Sequence, residues 1–292
     1  MHIKDNKQAI PYLEKAHEYH PNSAFILNIL LDFYTSHIPN TQKYLEYALK
    51  GERLDIATND SIAASYIYLH ISNAFIQTGF VEQAETYIDK SLKYSSENIF
   101  SQYVKAYILY AKNKDLEATK TLLVEVLNKD TTRVDVLQEV GKIFYYMRDY
   151  ESSYEYFKKF TEIRETQGLD IFRHVNIEIG FVYSKMGFKE EAENYFSDYK
   201  NFAENDASIY KNLELAMYYS HHGKTQKAIE HLKLFGQESN YHYWTILFVK
   251  IEPLMDNIND NPEFKKIWEK IEAKFWENHK QIKVSLKAKG LI

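Results

Sequence analysis

Gly180 to Tyr199 reads GFVYSKMGFKEEAENYFSDY. Small Gly180 is followed three residues on by Tyr183, and small Ala192 is followed four on by Phe196 and then by Tyr199. On a helix, residues three or four apart share one face, so each small residue sits beside a bulky one on an apolar stripe. Gly187 breaks the run between the two stripes. The pattern describes two antiparallel helices whose small residues let the backbones approach. The same frame returns at Gly141, Phe144, Tyr150, Ser153, Phe157 and Phe160, and at Ala216, Tyr219, Gly223, Ala228, Leu232 and Phe235. Upstream it reads Ser72, Phe75, Gly79, Ala84, Ile88 and Ser91, and more weakly Ala106, Leu109, Ala118 and Leu122. Each hairpin leaves apolar surface uncovered, so neighbours must stack on it.

From Ala84 to Ala118 is 34 residues, from Ala118 to Ser153 is 35, and from Ala192 to Ala228 is 36. These steps fit a period of about 34 residues better than the roughly 40 to 47 of HEAT or armadillo units. On this motif and spacing the chain resembles the tetratricopeptide repeat (TPR) family over about residues 7 to 240. The resemblance implies an all-α fold: a right-handed superhelical solenoid of TPR-like antiparallel helix pairs with a C-terminal capping helix. Two steps depart from the period. Ser153 to Ala192 spans 39 residues, the excess falling around Arg164 to Gly168, which predicts an extended second helix there. The step between Thr41 and Ala84 is longer still; the helix through Tyr44, Ala48 and Leu49 either runs on past Gly51 or ends in a loop near Thr58, Asn59 and Asp60.

At the N-terminus, Ala9, Leu13, Ala16 and Pro21 fit the second helix of a unit whose first helix is absent, which points to a longer parent protein. The division expected is a repeat array over 1–240 and a helical cap over 241–292. In the cap, Tyr243, Trp244, Leu247, Phe248 and Ile251 form one apolar face that Glu252-Pro253 ends. Asn261 is placed to cap a last long helix with Pro262 in its first turn, and Phe264, Ile267, Trp268, Ile271, Phe275 and Trp276 are its apolar stripe. The run Pro253 to Ile258, followed by Asn261-Pro262-Glu263-Phe264, is similar to the close of many bacterial TPR sensor modules. There the array follows an adenylate-cyclase, TolB-like or AraC-type helix-turn-helix region. The resemblance implies a regulatory context.

The composition narrows the function classes. Formal net charge is −5, with 41 acidic against 36 basic residues and no long block of one sign, which is not the footprint of a nucleic-acid binder. The four Lys of Lys280 to Lys289 read as a solvated helix end. Cys is absent, excluding disulfides, thiolate metal sites and a cysteine nucleophile. Neither a signal-type leader nor an apolar run of membrane-spanning length is present, and a cytoplasmic location is expected. No Gly-rich phosphate loop, nucleophile elbow or zinc-protease helix is legible. His17 and His20, three apart, and the adjacent His221-His222 lack a third convergent ligand, and Glu190-Glu191 and the pair Glu162 and Glu165 read as solvated charges. No catalytic residue, metal or cofactor is expected.

In the TPR family the first helix of each hairpin lines the concave groove. Carried onto this chain, the groove residues are Asn28 and Asp32, then Tyr66, Leu69, Asn73 and Gln77, then Phe100, Tyr103, Tyr107 and Tyr110. They continue as Gln138, Lys142, Tyr145 and Tyr146, then His174, Ile177, Phe181 and Lys185, then Tyr210, Leu213, Met217 and His221. With 25 Tyr in the chain, a Tyr-rich groove offers rigid rings with polar ends to an extended or helical peptide. Two placements are open for Tyr107 and Tyr145: the groove, or the seam between adjacent first helices. The family's chaperone-tail clamp needs Lys on these helices. Here the matching places hold Asn28 with Asp32, Leu69 with Asn73 and Tyr103 with Tyr107, so that partner is disfavoured. The function expected is a non-catalytic protein- or peptide-binding scaffold, the sensing or regulatory part of a larger bacterial signalling or transcription-regulating protein that can also form a homodimer. The alternative is a receptor for a small peptide or metabolite in the same groove.

Overall fold

The structure, a computed structural model, describes residues 6–36, 40–52, 54 and 60–292. Those residues form fifteen α-helices and no strand. In chain order they are α1 (Asn6–Tyr19), α2 (Ala24–Ser36), α3 (Thr41–Gly51), α4 (Ser61–Gln77), α5 (Val81–Tyr94), α6 (Ile99–Asn113), α7 (Leu116–Lys129) and α8 (Val134–Tyr146). After these come α9 (Tyr150–Thr166), α10 (Asn176–Lys185), α11 (Lys189–Asn205), α12 (Lys211–His221), α13 (Thr225–Phe235), α14 (Tyr243–Phe248) and α15 (Pro262–Ala288). They fall into two compact units. The first holds Met1–Lys112, Asn240–Thr245 and Ala273–Ile292; the second holds Asn113–Ser239 and Ile246–Glu272. Within each, consecutive helices pack as antiparallel neighbours, as in α4 with α5 and α8 with α9.

The hairpins follow from the repeated frame. Ser72 with Ala84, Gly141 with Ser153, Gly180 with Ala192, and Ala216 with Ala228 are buried pairs, each 12 residues apart. Ser72 Oγ donates to Ala84 O at 2.7 Å, and Ser153 Oγ donates to Gly141 O at 2.8 Å, so side chain meets backbone directly across the seam. A Cβ on Gly141 would stand 2.6 Å from the Phe157 ring, closer than packed carbon atoms tolerate. Seven residues after each first small residue the backbone turns left-handed, at Gly79 (φ 84°), Arg148 (φ 64°), Gly187 (φ 92°) and Gly223 (φ 66°). The next amide then reaches back to the helix, as in Phe80 N to Phe75 O and Phe188 N to Tyr183 O, both 2.9 Å. This closure satisfies carbonyls that a helix end would otherwise leave unpaired.

One repeat register needs correction. Ala118 is exposed, whereas Thr119 and Leu123 are fully buried, so the small position of α7 is Thr119. The step from Ala84 is then 35 residues and the step to Ser153 is 34. The left-handed turn residue shifts by the same single place, to Lys114 (φ 57°), eight residues after Ala106. A one-residue longer turn is invisible to a pattern whose neighbouring positions, Ala118 and Thr119, are both small.

The extended second helix is present: α9 runs to Thr166, and Leu169 N closes onto Arg164 O at 2.9 Å past Gly168 (φ 61°). Buried Arg164 donates to Asn176 Oδ1 at 2.8 Å, and Asn176 Nδ2 donates to Asp198 Oδ2 at 2.7 Å, tying α9, α10 and α11 together. The other long step contains α3, which ends at Gly51; Thr58 and Asn59 lie outside the described residues, and Asp60 caps α4 by accepting from Ala63 N at 2.9 Å. In α15, Asn261 Oδ1 accepts from Glu263 N at 2.8 Å, giving the expected cap. Phe264, Trp268 and Ile271 of its stripe are buried in the second unit and Phe275 in the first, while Ile267 and Trp276 are half-buried. The stripe continues into the first unit with Ile282 and Leu286.

Candidate binding face

In the second unit the first-helix positions face a segment of the same chain. Following α14, Val249–Ile251 and Pro253–Met255 form short 3₁₀ turns. Phe248 stacks on Tyr146, ring centroids 4.8 Å apart. The Tyr145 hydroxyl donates to Glu252 Oε1, which also accepts from Leu254 N at 3.2 Å. Arg148 pairs with Asp256 at 2.9 Å, Ser220 Oγ donates to Leu254 O at 2.6 Å, and Asn257 Nδ2 donates to Ser220 O at 3.0 Å. Leu254, Met255 and Ile258 are buried. Three such side chains contribute about 1.5 to 3 kcal/mol each, so the segment is part of the core of this unit.

This settles the placement of Tyr145. It is fully buried, its ring edge-on to Phe181 at 5.5 Å, and belongs to the seam. Of the other positions named on this face, Gln138, Ile177 and Phe181 are buried, Lys142, Tyr146 and Tyr210 are half-buried, and His174 and Lys185 are exposed. The groove reading of the sequence therefore holds surface residues and core residues together.

Beneath the segment lies a carboxyl-rich cluster that the sequence did not reveal. Glu139 and Lys142, one helical turn apart on α8, approach to 3.5 Å. Glu178 of α10 and Glu252 are 7% and 3% exposed, respectively. Glu178 Oε2, Gln138 Oε1, Glu214 Oε2 and the Tyr199 hydroxyl are buried without a hydrogen-bond partner among the described residues. Burial pushes the Glu178 carboxyl up, against the pull of the Lys142 ammonium. Burial, with the charge of Glu178 adding to it, raises Glu252 as well. Glu214 rises to about 8 through burial and then the charges of Asp206 and Glu178. Burial works against charge on Lys142, yet Glu139 and Glu178 hold it above its usual value. The cluster thus retains protons that free carboxyls would have lost. Its signal in the sequence is faint, since Glu178 and Glu214 sit at positions of ordinary helix charges.

The first unit presents a different face. Gln77 and Tyr110 are buried, and Tyr107 is buried with its ring 5.9 Å from Trp244, edge-on. Tyr66, Asn73, Phe100 and Tyr103 are half-buried. Tyr66 and Phe100 stand 6.3 Å apart and Phe100 and Tyr103 6.1 Å, a continuous row of rings across α4 and α6. Asp32 of α2 is exposed beside buried His70, whose Nε2 lies 3.4 Å from Asp32 Oδ1. His70 Nδ1 is 3.0 Å from the Tyr44 hydroxyl, and Asn73 Nδ2 reaches that hydroxyl at 3.5 Å. Among the described residues no group of His, Cys, Asp and Glu is arranged to hold a metal, and no helix is long and apolar enough to cross a membrane.

Fold and face together define an all-α protein of repeated antiparallel helical hairpins. Residues 134–167, the α8–α9 hairpin, match the family model described as tetratricopeptide repeat. Among solved structures, MamA AMB-1 is 20% identical over 56% of this chain and 85% of its own, with a TM-score of 0.39. YrrB, described as a TPR protein with an unusual peptide-binding site, is 16% identical over 64% of this chain and 89% of its own, with a TM-score of 0.38. A further MamA crystal structure is 15% identical over 60% and 88%, with a TM-score of 0.41. No curated protein matches this chain.

Proposed function

We propose that this chain is a non-catalytic scaffold of tetratricopeptide type that holds a protein or peptide across the first-helix face of its first unit. The observation that carries the reading is the half-buried row Tyr66, Phe100 and Tyr103, a surface rich in the side chains that dominate recognition hot spots. The equivalent face of the second unit is filled by residues 246–258 of the chain itself. A regulatory or sensing role in a larger bacterial cytoplasmic signalling or transcription-regulating protein is proposed on the C-terminal run Pro253 to Phe264.

The test is photo-cross-linking in the source cells, with benzoylphenylalanine at position 66 or 103 and a control at position 284, where Val284 is exposed on α15. A discrete product at 66 and 103, absent at 284 and lost when Tyr103→Ala is added to the chain labelled at 66, is the expected result. Equal labelling at all three sites, or none at 66 and 103, removes the groove from the first unit.

A further inference from the structure

Among the described residues, the face of the first unit carries a carboxylate, Asp32, that no cation neutralises. The side chain of Asp32 is 69% exposed, and its ion-pair partner among the described residues is His70. His70 is buried, and burial depresses its pKa to about 4, so it is neutral at physiological pH. A neutral imidazole has one N–H, and a carboxylate can only accept, so the proton sits on Nε2 facing Asp32. Nδ1 is then the acceptor and the Tyr44 hydroxyl its donor, while Asn73 Nδ2 donates to that hydroxyl. The hydrogen bonds therefore run from Asn73 to Tyr44 to His70, and His70 Nε2 stands 3.4 Å from the carboxylate. The network sets a neutral N–H beside the anion and leaves its charge standing.

The rings around this anion complete the chemistry. Tyr66 lies one turn before His70 on α4, on the face that meets Asp32, and opens the aromatic row that runs on through Phe100 to Tyr103. A fixed carboxylate next to aromatic faces is the environment that favours a cationic side chain, through an ion pair and cation–π attraction together. The second unit shows the complementary case. There the face supplies Arg148, and the segment lying on it supplies the carboxylate of Asp256 and the ring of Phe248.

We propose that the first-unit face recognises an Arg- or Lys-bearing peptide, the cationic side chain seated between Asp32 and the Tyr66–Phe100–Tyr103 row. This rests on the scaffold function proposed above and names the partner chemistry of that site.

A phage-displayed random peptide library panned on the full chain tests it, with selected peptides resynthesised and titrated by fluorescence polarisation. The expected binders carry Arg or Lys. Replacing an Arg with citrulline, or making Asp32→Asn, weakens binding about tenfold or more, and the two losses do not add, because each removes the same contact. Asp32 is exposed, so this variant folds; circular dichroism confirms it for Tyr103→Ala as well. Binders without a cation, or binders indifferent to citrulline and to Asp32→Asn but lost with Tyr103→Ala, overturn the cationic partner and leave the groove standing. Binders unaffected by Tyr66→Ala and Tyr103→Ala, or a library that yields none, overturn both.

Discussion

Glu252 shows how a single side chain links a unit's stability to pH. Its carboxyl is buried against Tyr145, with Glu178 nearby, and its pKa is raised, as are those of Glu178 and Glu214. A carboxyl with a raised folded-state pKa contributes stability that is complete below its unfolded value. That contribution is lost as pH rises through the folded value, because only the folded state still holds the proton in between. With Glu214 at about 8, the loss extends across neutral pH. His221 of the same unit is depressed to about 4, chiefly by burial, so it is neutral in both states above roughly pH 7 and does not blur this window. The thermal midpoint of the second unit should fall as pH rises from about 7 to about 8 and level off above, and Glu252→Gln should flatten that fall. Differential scanning fluorimetry across the range checks it; an equal slope in the variant would remove Glu252 from the account.

At the scale of the element, two kinds of glycine hold the hairpins and they should respond differently to Ala. Gly141 is helical and lies where Phe157 crosses, its missing Cβ leaving room for a ring 2.6 Å from where that atom would be. Gly223 turns the chain at φ 66° with open space around it. Gly141→Ala must displace a packed Phe and is expected to cost about 1 to 3 kcal/mol. Gly223→Ala meets only the left-handed backbone penalty, about 1 to 2 kcal/mol, and should leave the α12–α13 packing unchanged. Urea unfolding of the two variants gives the comparison, and amide exchange gives the distinction: protection should drop in α8 and α9 for the first and stay even along α12 and α13 for the second. Arg148 occupies the same left-handed place in its hairpin without being glycine, and its ion pair with Asp256 gives the side chain a role there.

At the scale of the molecule, the two units use one repeat pattern to opposite ends. In the second, residues 246–258 seal the first-helix face with Phe248, Leu254, Met255 and Ile258. In the first, the face keeps half-buried rings and an exposed carboxylate. Leu254→Ala should therefore destabilise the second unit by about 2 to 5 kcal/mol, a core truncation, and hydrogen exchange should show α8, α10 and α12 losing protection. Unchanged protection in those helices would mean the segment lies on the unit without holding it.

Sequence by itself determined the hairpins, because small and bulky residues recurring at helical spacing dictate which helix faces can meet. It also marked where the pattern stretches, at Arg164 to Gly168, and where α15 begins, at Asn261-Pro262, because helix ends have local chemistry. It misplaced the α7 register by one residue, since Ala118 and Thr119 are both small and only burial distinguishes them. The candidate site was legible as a row of positions and not as a surface. Tyr103 and Gln138 stand three residues before Ala106 and Gly141, the same place in successive repeats, yet the first is half-buried and the second buried. Tyr145 closes onto Glu252, more than a hundred residues further along the chain, and a contact of that span leaves no periodic trace. The proton-holding cluster of Glu178, Glu214 and Glu252 was likewise decided by the tertiary structure alone, because a carboxyl's environment is set by what folds over it.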